Sequence, residues 1–332
     1  MSHFPFPHQS SRPFTFIPNP SSCSARVAFS DQALSSIIPA MRNDSINKTM
    51  QRGDLERPEC RAVLIELFAL MRRMHSHGAK YSSWYGAVDA WPSAWEHINR
   101  GEHYQPCAGN PDELRIPWFL LWEIAWLVAH TPMKPAARVL DMGGAGSLFS
   151  CYLASRGCEL HTIDLQAELC EQAEKTGRRM GWRIHARRMD MTRLDYPDHY
   201  FDHIFSVCVF EHLPVSGRIA CNAEVARVLR PGGTVGYTFD YANPQSFGRI
   251  DTPDDVRRQF IEPSGLRLRG GDAFIDAGER DLECPQCFGF GRFTRAAARL
   301  HAMATGSVER ARVASSSTSY TFGALFLEKP PS

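Results

Sequence analysis

Three aspartates recur along the middle of this chain, each closing a short apolar run or following one: Asp141, Asp164 and Asp190. The first leads into a turn of small residues, Gly143-Gly144-Ala145-Gly146-Ser147. Small residues let a ligand approach the backbone closely. The segment after them reads as a helix, whose first N–H groups have no intrahelical partner. Those donors suit a phosphate or, equally, a carboxylate. Asp164 ends the next apolar run, where an acid accepts hydrogen bonds from both hydroxyls of a ribose. Asp190, in Arg188-Met189-Asp190-Met191, stands where an acid can accept one from an adenine amino group. Any one of these acids alone reads equally well as a helix cap or a solvent-facing turn residue. Three in register at successive strand ends point jointly to one ligand.

A second group follows the fourth run, in Val207-Cys208-Val209-Phe210-Glu211-His212. His212 is the first candidate for a general base, because imidazole titrates at roughly 6.5. The alternative is a histidine packed against the first turn of the next helix. Glu211 is the second candidate, and Asp240 and Tyr241 come after it. Cys284-Pro285-Gln286-Cys287 has the spacing of half a zinc site, but no second half follows; it reads as a turn with two thiols, and no metal is expected.

The elements that must position these residues form three stretches. Residues 1 to about 57 lack periodicity and are rich in turn formers, so they read as disordered. A transit segment has a related composition, and Met41 and Met50 are alternative starts. Residues 58–132 read as a helical, aromatic-rich extension or lid. One helix is expected over Cys60–Met74, behind Pro58. Another is expected from about Asp112 to His130, with Trp118, Trp122 and Trp126 on one face, more in keeping with packing than with a lid. Tyr81, Trp84, Tyr85, Trp91 and Trp95 lie between them. From residue 133 to 330, short apolar runs alternate with amphipathic segments, which is the pattern of parallel strands and crossover helices. The predicted strands are Arg138–Met142, Glu159–Asp164, Arg183–Arg187, His203–Cys208 and Thr234–Phe239, with Tyr320–Leu327 closing the chain. Helices are expected over Gln166–Met180, Ser216–Leu229 and Asp254–Ile261. Pro231-Gly232-Gly233 is expected to break the chain before the fifth strand, and residues 270–318 form an insertion with no legible pattern.

The ordered set Asp141–Ser147, Asp164, Asp190, Phe201-Asp202-His203-Ile204, Phe210-Glu211-His212-Leu213 and Arg227–Gly233 resembles the class I S-adenosylmethionine-dependent methyltransferases. The resemblance covers about residues 136–240. It implies a Rossmann-like α/β fold: a doubly wound, mostly parallel sheet with an antiparallel last strand. It also implies S-adenosylmethionine as cofactor. Asp141 and the turn of Gly143, Gly144, Ala145 and Gly146 would hold the methionine end. Asp164 would bind the ribose, with Leu165 beside the adenine, whose edge Asp190 and Met191 would read. Val207 and Cys208 would pass under the sulfonium, and Glu211 and His212 would face the substrate. The family turn, acid-x-Gly-x-Gly-x-Gly, is altered here: Ala145 and Ser147 hold its second and third glycine positions. Ala145 fits if its φ is negative, and Ser147 can cap the helix.

The bulk properties narrow the acceptor. A net charge of +1, from 37 basic and 36 acidic residues, gives no general attraction to nucleic acid or anionic membrane. The fourth-strand segment lacks the Asn/Asp-Pro-Pro-aromatic run of amino-methylating DNA enzymes and the Pro-Cys of cytosine C5 enzymes. A small-molecule acceptor is therefore expected. No apolar run is long enough for a membrane span, and the scattered cysteines read as reduced thiols of a cytoplasmic protein. Two rivals share part of the pattern. A nicotinamide-dependent oxidoreductase has the first turn and the ribose acid, but not this glycine register. A catalytically silent cofactor-binding module would show the same Ala145 and Ser147 departures.

Overall fold

The computed structural model describes residues 45–81, 104–105, 116–243, 248–280, 282–283 and 319–331. In chain order the elements begin with β1 (Lys48–Thr49) and α1 (Pro58–Ser76). The short pair β2 (Tyr104–Gln105) and β3 (Ile116–Pro117) follows, then α2 (Trp118–Ala129). The strand-and-helix alternation runs β4 (Arg138–Met142), α3 (Leu148–Ser155), β5 (Glu159–Asp164), α4 (Ala167–Met180), β6 (Ile184–Arg188), β7 (Phe201–Val207), α5 (Val215–Val228) and β8 (Leu229–Tyr241). After it come α6 (Pro253–Val256), a π turn (Arg257–Ile261) and α7 (Glu262–Ser264). Three strands close the set: β9 (Arg267–Leu268), β10 (Leu282–Glu283) and β11 (Ser319–Glu328).

The main sheet runs β6-β5-β4-β7-β8-β11. All of its neighbouring pairs are parallel except β8 with β11. The central strands are buried nearly throughout because helices cover both faces. One core joins the buried stripes of α1, α2 and α3, and the other lies under α5 and the segment around the π turn. Every β-to-α turn of the parallel strands opens at their carboxyl ends, so the three acids and the segment after β7 share one rim.

Two boundaries differ from the sequence reading for physical reasons. Pro231-Gly232-Gly233 does not break the chain ahead of the fifth strand. β8 carries it as an irregularity: Phe201 pairs with Leu229, and the next pair is His203 with Thr234. Gly232 takes the left-handed conformation the kink needs (φ 74°), and its N–H donates to the Lys329 carbonyl at 2.9 Å. The helix expected from about Asp112 starts at Trp118 instead, because residues 116–117 are extended in β3. Its Trp122 and Trp126 are fully buried and stacked at 5.7 Å, so these two rings pack into the core.

Within residues 45–57, inside the stretch expected to be disordered, several side chains enter the core. Asn47, Lys48, Thr49 and Met50 are fully buried, and β1 pairs with β11. Lys48 Nζ donates to Asp54 Oδ1 at 2.6 Å, and Trp122 Nε1 donates to Asp54 Oδ2 at 2.9 Å. A two-residue strand has no period to read, and its partner lies at the far end of the chain. The rest of that stretch, the aromatic residues Trp84, Tyr85, Trp91 and Trp95, and Cys284 and Cys287 lie outside the described residues. So does most of the 270–318 insertion, although Ile275 exchanges backbone hydrogen bonds with Asn47 and Thr49. Among the described residues, the six cysteines are unbridged and buried, and no helix is long and apolar enough to cross a membrane.

Candidate active site

The first turn is shaped by Asp141, the penultimate residue of β4. Its side chain is buried and bends back across the turn. Oδ2 accepts from Ser150 Oγ at 2.6 Å and from Ser147 Oγ at 3.5 Å, while Oδ1 is buried with no hydrogen-bond partner. Burial first, then the charge of Asp164, pushes this carboxyl up to about 7. Gly143 and Gly146 have φ of 80° and 74°, whereas Ala145 does not have positive φ. A Cβ on Gly143 would sit 2.5 Å from a Val209 methyl, and one on Gly144 would sit 2.2 Å from Asp141 Oδ2. Ser147 caps α3, its Oγ accepting from Ser150 N at 3.0 Å. The turn is therefore stripped of side chains where the ends of β4 and β7 meet.

Asp164 ends β5 beside this turn. Its Oδ1 accepts from Gln166 N at 2.9 Å, and the backbone of Leu165 and Ala145 also donates to the carboxylate. Desolvation raises its pKa in spite of these bonds. Gly143 N donates to the Ile163 carbonyl at 2.7 Å, and Met189 N to the Asp164 carbonyl at 3.0 Å, so the ends of β4, β5 and β6 are stitched together. Leu165 is 68% exposed, an apolar side chain that nothing in the described chain covers. Asp190 is exposed, and its Oδ1 accepts from both N and Oγ1 of Thr192 at 2.8 Å, a turn in its own right. Met191 is half-buried beside it.

At the ends of β7 and β8 the acids are buried. Val207 is half-buried, and Cys208 is buried with φ 49°, a left-handed conformation unusual for a side chain with a Cβ. Cys208 Sγ donates to Glu123 Oε1 of α2 at 2.6 Å. Glu211 is fully buried: Oε1 accepts from Asp240 N at 3.3 Å, and Oε2 has no partner. One ligating atom each of Cys208, Glu211 and Asp240 lies within 4.8 Å of the others. Burial pushes Glu123 up to about 7, helped by Asp240, and holds Glu211 well above the ordinary carboxyl range, with Asp240 as the second cause. Burial and these carboxyls also keep the Cys208 thiol protonated. His212, in the short turn Phe210–His212, is exposed, so two adjacent residues face opposite environments. Tyr241, at the end of β8, is fully buried.

Sequence reasoning did not single out Glu123 as a site residue. Its only signal was a single acid within the apolar stretch Trp118–Val128, a placement that is rare unless the acid is paired or functional.

Residues 139–233 match a family model described as a methyltransferase domain. A ubiquinone biosynthesis O-methyltransferase of Xanthomonas oryzae pv. oryzae is 28% identical over 165 residues, covering 43% of this chain and 67% of that one. An uncharacterized protein of Mycobacterium tuberculosis is 29% identical over 124 residues, which span 37% of this chain and 44% of the relative. The matched region thus takes in under half the length of the mycobacterial relative. Among solved structures, the [4+2]-cyclase SpnF superposes with a TM-score of 0.47 at 17% identity, covering 73% of this chain and 93% of that one.

Proposed function

Because the chain carries, over residues 139–233, a domain of the class I S-adenosylmethionine-dependent methyltransferase family, we propose that it moves a methyl group from S-adenosylmethionine to a small-molecule acceptor. The observation that carries this reading is the shared rim. A side-chain-free turn, a buried acid with an unused oxygen and a ribose-type acid lie side by side at the ends of β4 and β5. The residues present fit the cofactor. Asp141 Oδ1 is an acceptor for the ammonium of the methionine end, and that charge would keep the carboxyl ionised against its burial. Asp164 is half-exposed and suits a diol. Leu165 offers an exposed apolar face to a purine, and Asp190 and Met191 stand at the adenine end.

When bound, S-adenosylmethionine supplies a methyl group already activated on a sulfonium, so the protein's share is orientation, exclusion of water and proton handling. Val207 and Cys208 bring the end of β7 to the middle of the rim, between the turn after β4 and the acids of β8. For the proton of the acceptor, the turn Phe210–His212 offers Glu211 on the buried side and His212 on the solvent side.

Isothermal titration with S-adenosylhomocysteine and with NADH tests the reading. Binding of the first and not the second is expected. Asp164→Ala should weaken it by about 10- to 100-fold, since hydrogen bonds to a charged group contribute roughly 1.5–3 kcal/mol. Binding of NADH alone would overturn the proposal. A radiolabelled methyl-transfer assay, with Asp164→Ala as control, then separates an enzyme from a silent module.

A further inference from the structure

A second cluster of donor atoms lies toward the other end of the parallel strands, away from the rim. Glu159 opens β5, and His161 follows two residues later on the same face of the sheet. His185 of β6 stands directly beside His161 in the strand register. The two imidazoles stack at 4.8 Å, and one ligating atom each of Glu159, His161 and His185 lies within 4.8 Å of the others. His161 Nε2 is 3.4 Å from Glu159 Oε1. That is long for a hydrogen bond between nitrogen and oxygen, which prefers about 2.7–3.2 Å. It matches the spacing of two ligands on a tetrahedral ion, about 3.3–3.4 Å for bonds of roughly 2.0–2.1 Å. The rings of Tyr196, Tyr200 and Phe201 stand edge-on to the His161 ring, with centroids 5.5, 5.5 and 5.4 Å away, and give the cluster an apolar backing. Arg138 Nε approaches the same Glu159 oxygen at 3.5 Å, while its guanidinium lies over the Tyr200 ring at 4.2 Å and donates to the Tyr200 carbonyl at 3.3 Å.

We infer that Glu159, His161 and His185 form a site for a divalent transition-metal ion of the zinc type, with water in the fourth position. Two imidazoles and one carboxylate suit zinc and its neighbours, whereas magnesium and calcium take oxygen ligands. The backbone already places the three residues: two share one strand, and the third is the in-register neighbour on the next. Binding therefore needs only side-chain rotation. His185 is exposed, so its ring can turn toward the pair, and Glu159 is half-buried, which leaves the ion a way in. Arg138 adds a positive charge beside the carboxylate and so holds the affinity to the micromolar range rather than that of a closed structural site. His161 precedes Asp164 by three residues, about 10 Å along a strand, so the ion sits apart from the rim. It ties β6, the outermost parallel strand, to β5, and an ion bound only by the folded chain stabilises it.

The test uses the full chain, stripped of metal with a chelator. Zinc and magnesium are titrated by calorimetry, and cobalt(II) by absorption. Zinc should bind about 100-fold or more tighter than magnesium. His185→Ala, a change at an exposed position, should weaken that zinc step about tenfold or more. The cobalt absorption lost in this variant should carry no near-ultraviolet thiolate band. Glu159→Gln should weaken zinc in the same way and serves as the second variant should His185→Ala not fold. Zinc binding equal in the wild type and both variants, as cysteine sites elsewhere would give, overturns the inference. So does magnesium binding as tightly as zinc, a thiolate band on the step that His185→Ala removes, or no heat from zinc up to about 1 mM.

Discussion

At Gly144 the backbone has no room for a side chain, because the Asp141 carboxylate lies over it. Gly144→Ala should therefore displace Asp141, costing about 1–3 kcal/mol of stability and weakening S-adenosylhomocysteine binding. Denaturant unfolding and titration calorimetry check the two effects, and unchanged values for both would show that the turn relaxes freely. Glu123 makes a prediction about pH. Its carboxyl sits at about 7 in the folded protein against an ordinary 4.5. Between those values the folded protein keeps a proton that the unfolded chain has released, so the unfolding free energy falls as pH rises through the window. Asp141 acts in the same direction, so the difference between proteins is the useful measure. Relative to wild type, Glu123→Gln should gain on the order of a few kcal/mol between pH 4.5 and 7.5. A pH-independent difference in urea unfolding would contradict this.

The elements show which parts of a sequence can be read alone. Asp141, the glycine turn and Asp164 were legible because each sits where a short apolar run gives way to a polar turn, and strand ends of a parallel sheet share one rim. Ser147 was legible as a cap because its type and position at a helix start carry the whole signal. Ser147→Ala should lower stability by about 0.5–2 kcal/mol, measured by chemical denaturation. A smaller loss would mean that Ser150 and Asp141 hold the turn without it. The opposite environments of Glu211 and His212 were not legible, because neighbouring residues in a tight turn follow neither the strand nor the helix period. Glu123 was hidden for a different reason: its partners, Cys208 and Asp240, come from strands much later in the chain.

Across the whole molecule, the outer edge of the sheet is finished by pieces. β11 is paired along its free side by β9, β1 and β10, each only two residues long. Short segments on an edge strand limit unwanted pairing with other chains. Asn47 is the fastener: its Oδ1 accepts from Phe326 N and its Nδ2 donates to the Arg269 carbonyl, both at 2.7 Å. Asn47→Ala would leave a buried N–H and a carbonyl unpaired and should cost about 2–6 kcal/mol, at roughly 1–3 kcal/mol per orphaned group. A thermal melt reads the loss, and a melting temperature within about 2 °C of wild type would show that the fastener is dispensable.

The pairing of Asn47 with Phe326, 279 residues apart, has a consequence for the growing polypeptide. On the ribosome the stretch around Lys48 emerges long before the strand that receives it. Docking of this stretch must wait until that strand has been made. Until then the nascent molecule carries a buried-type lysine and two core tryptophans beside a gap, which marks the interval when a chaperone has most to hold.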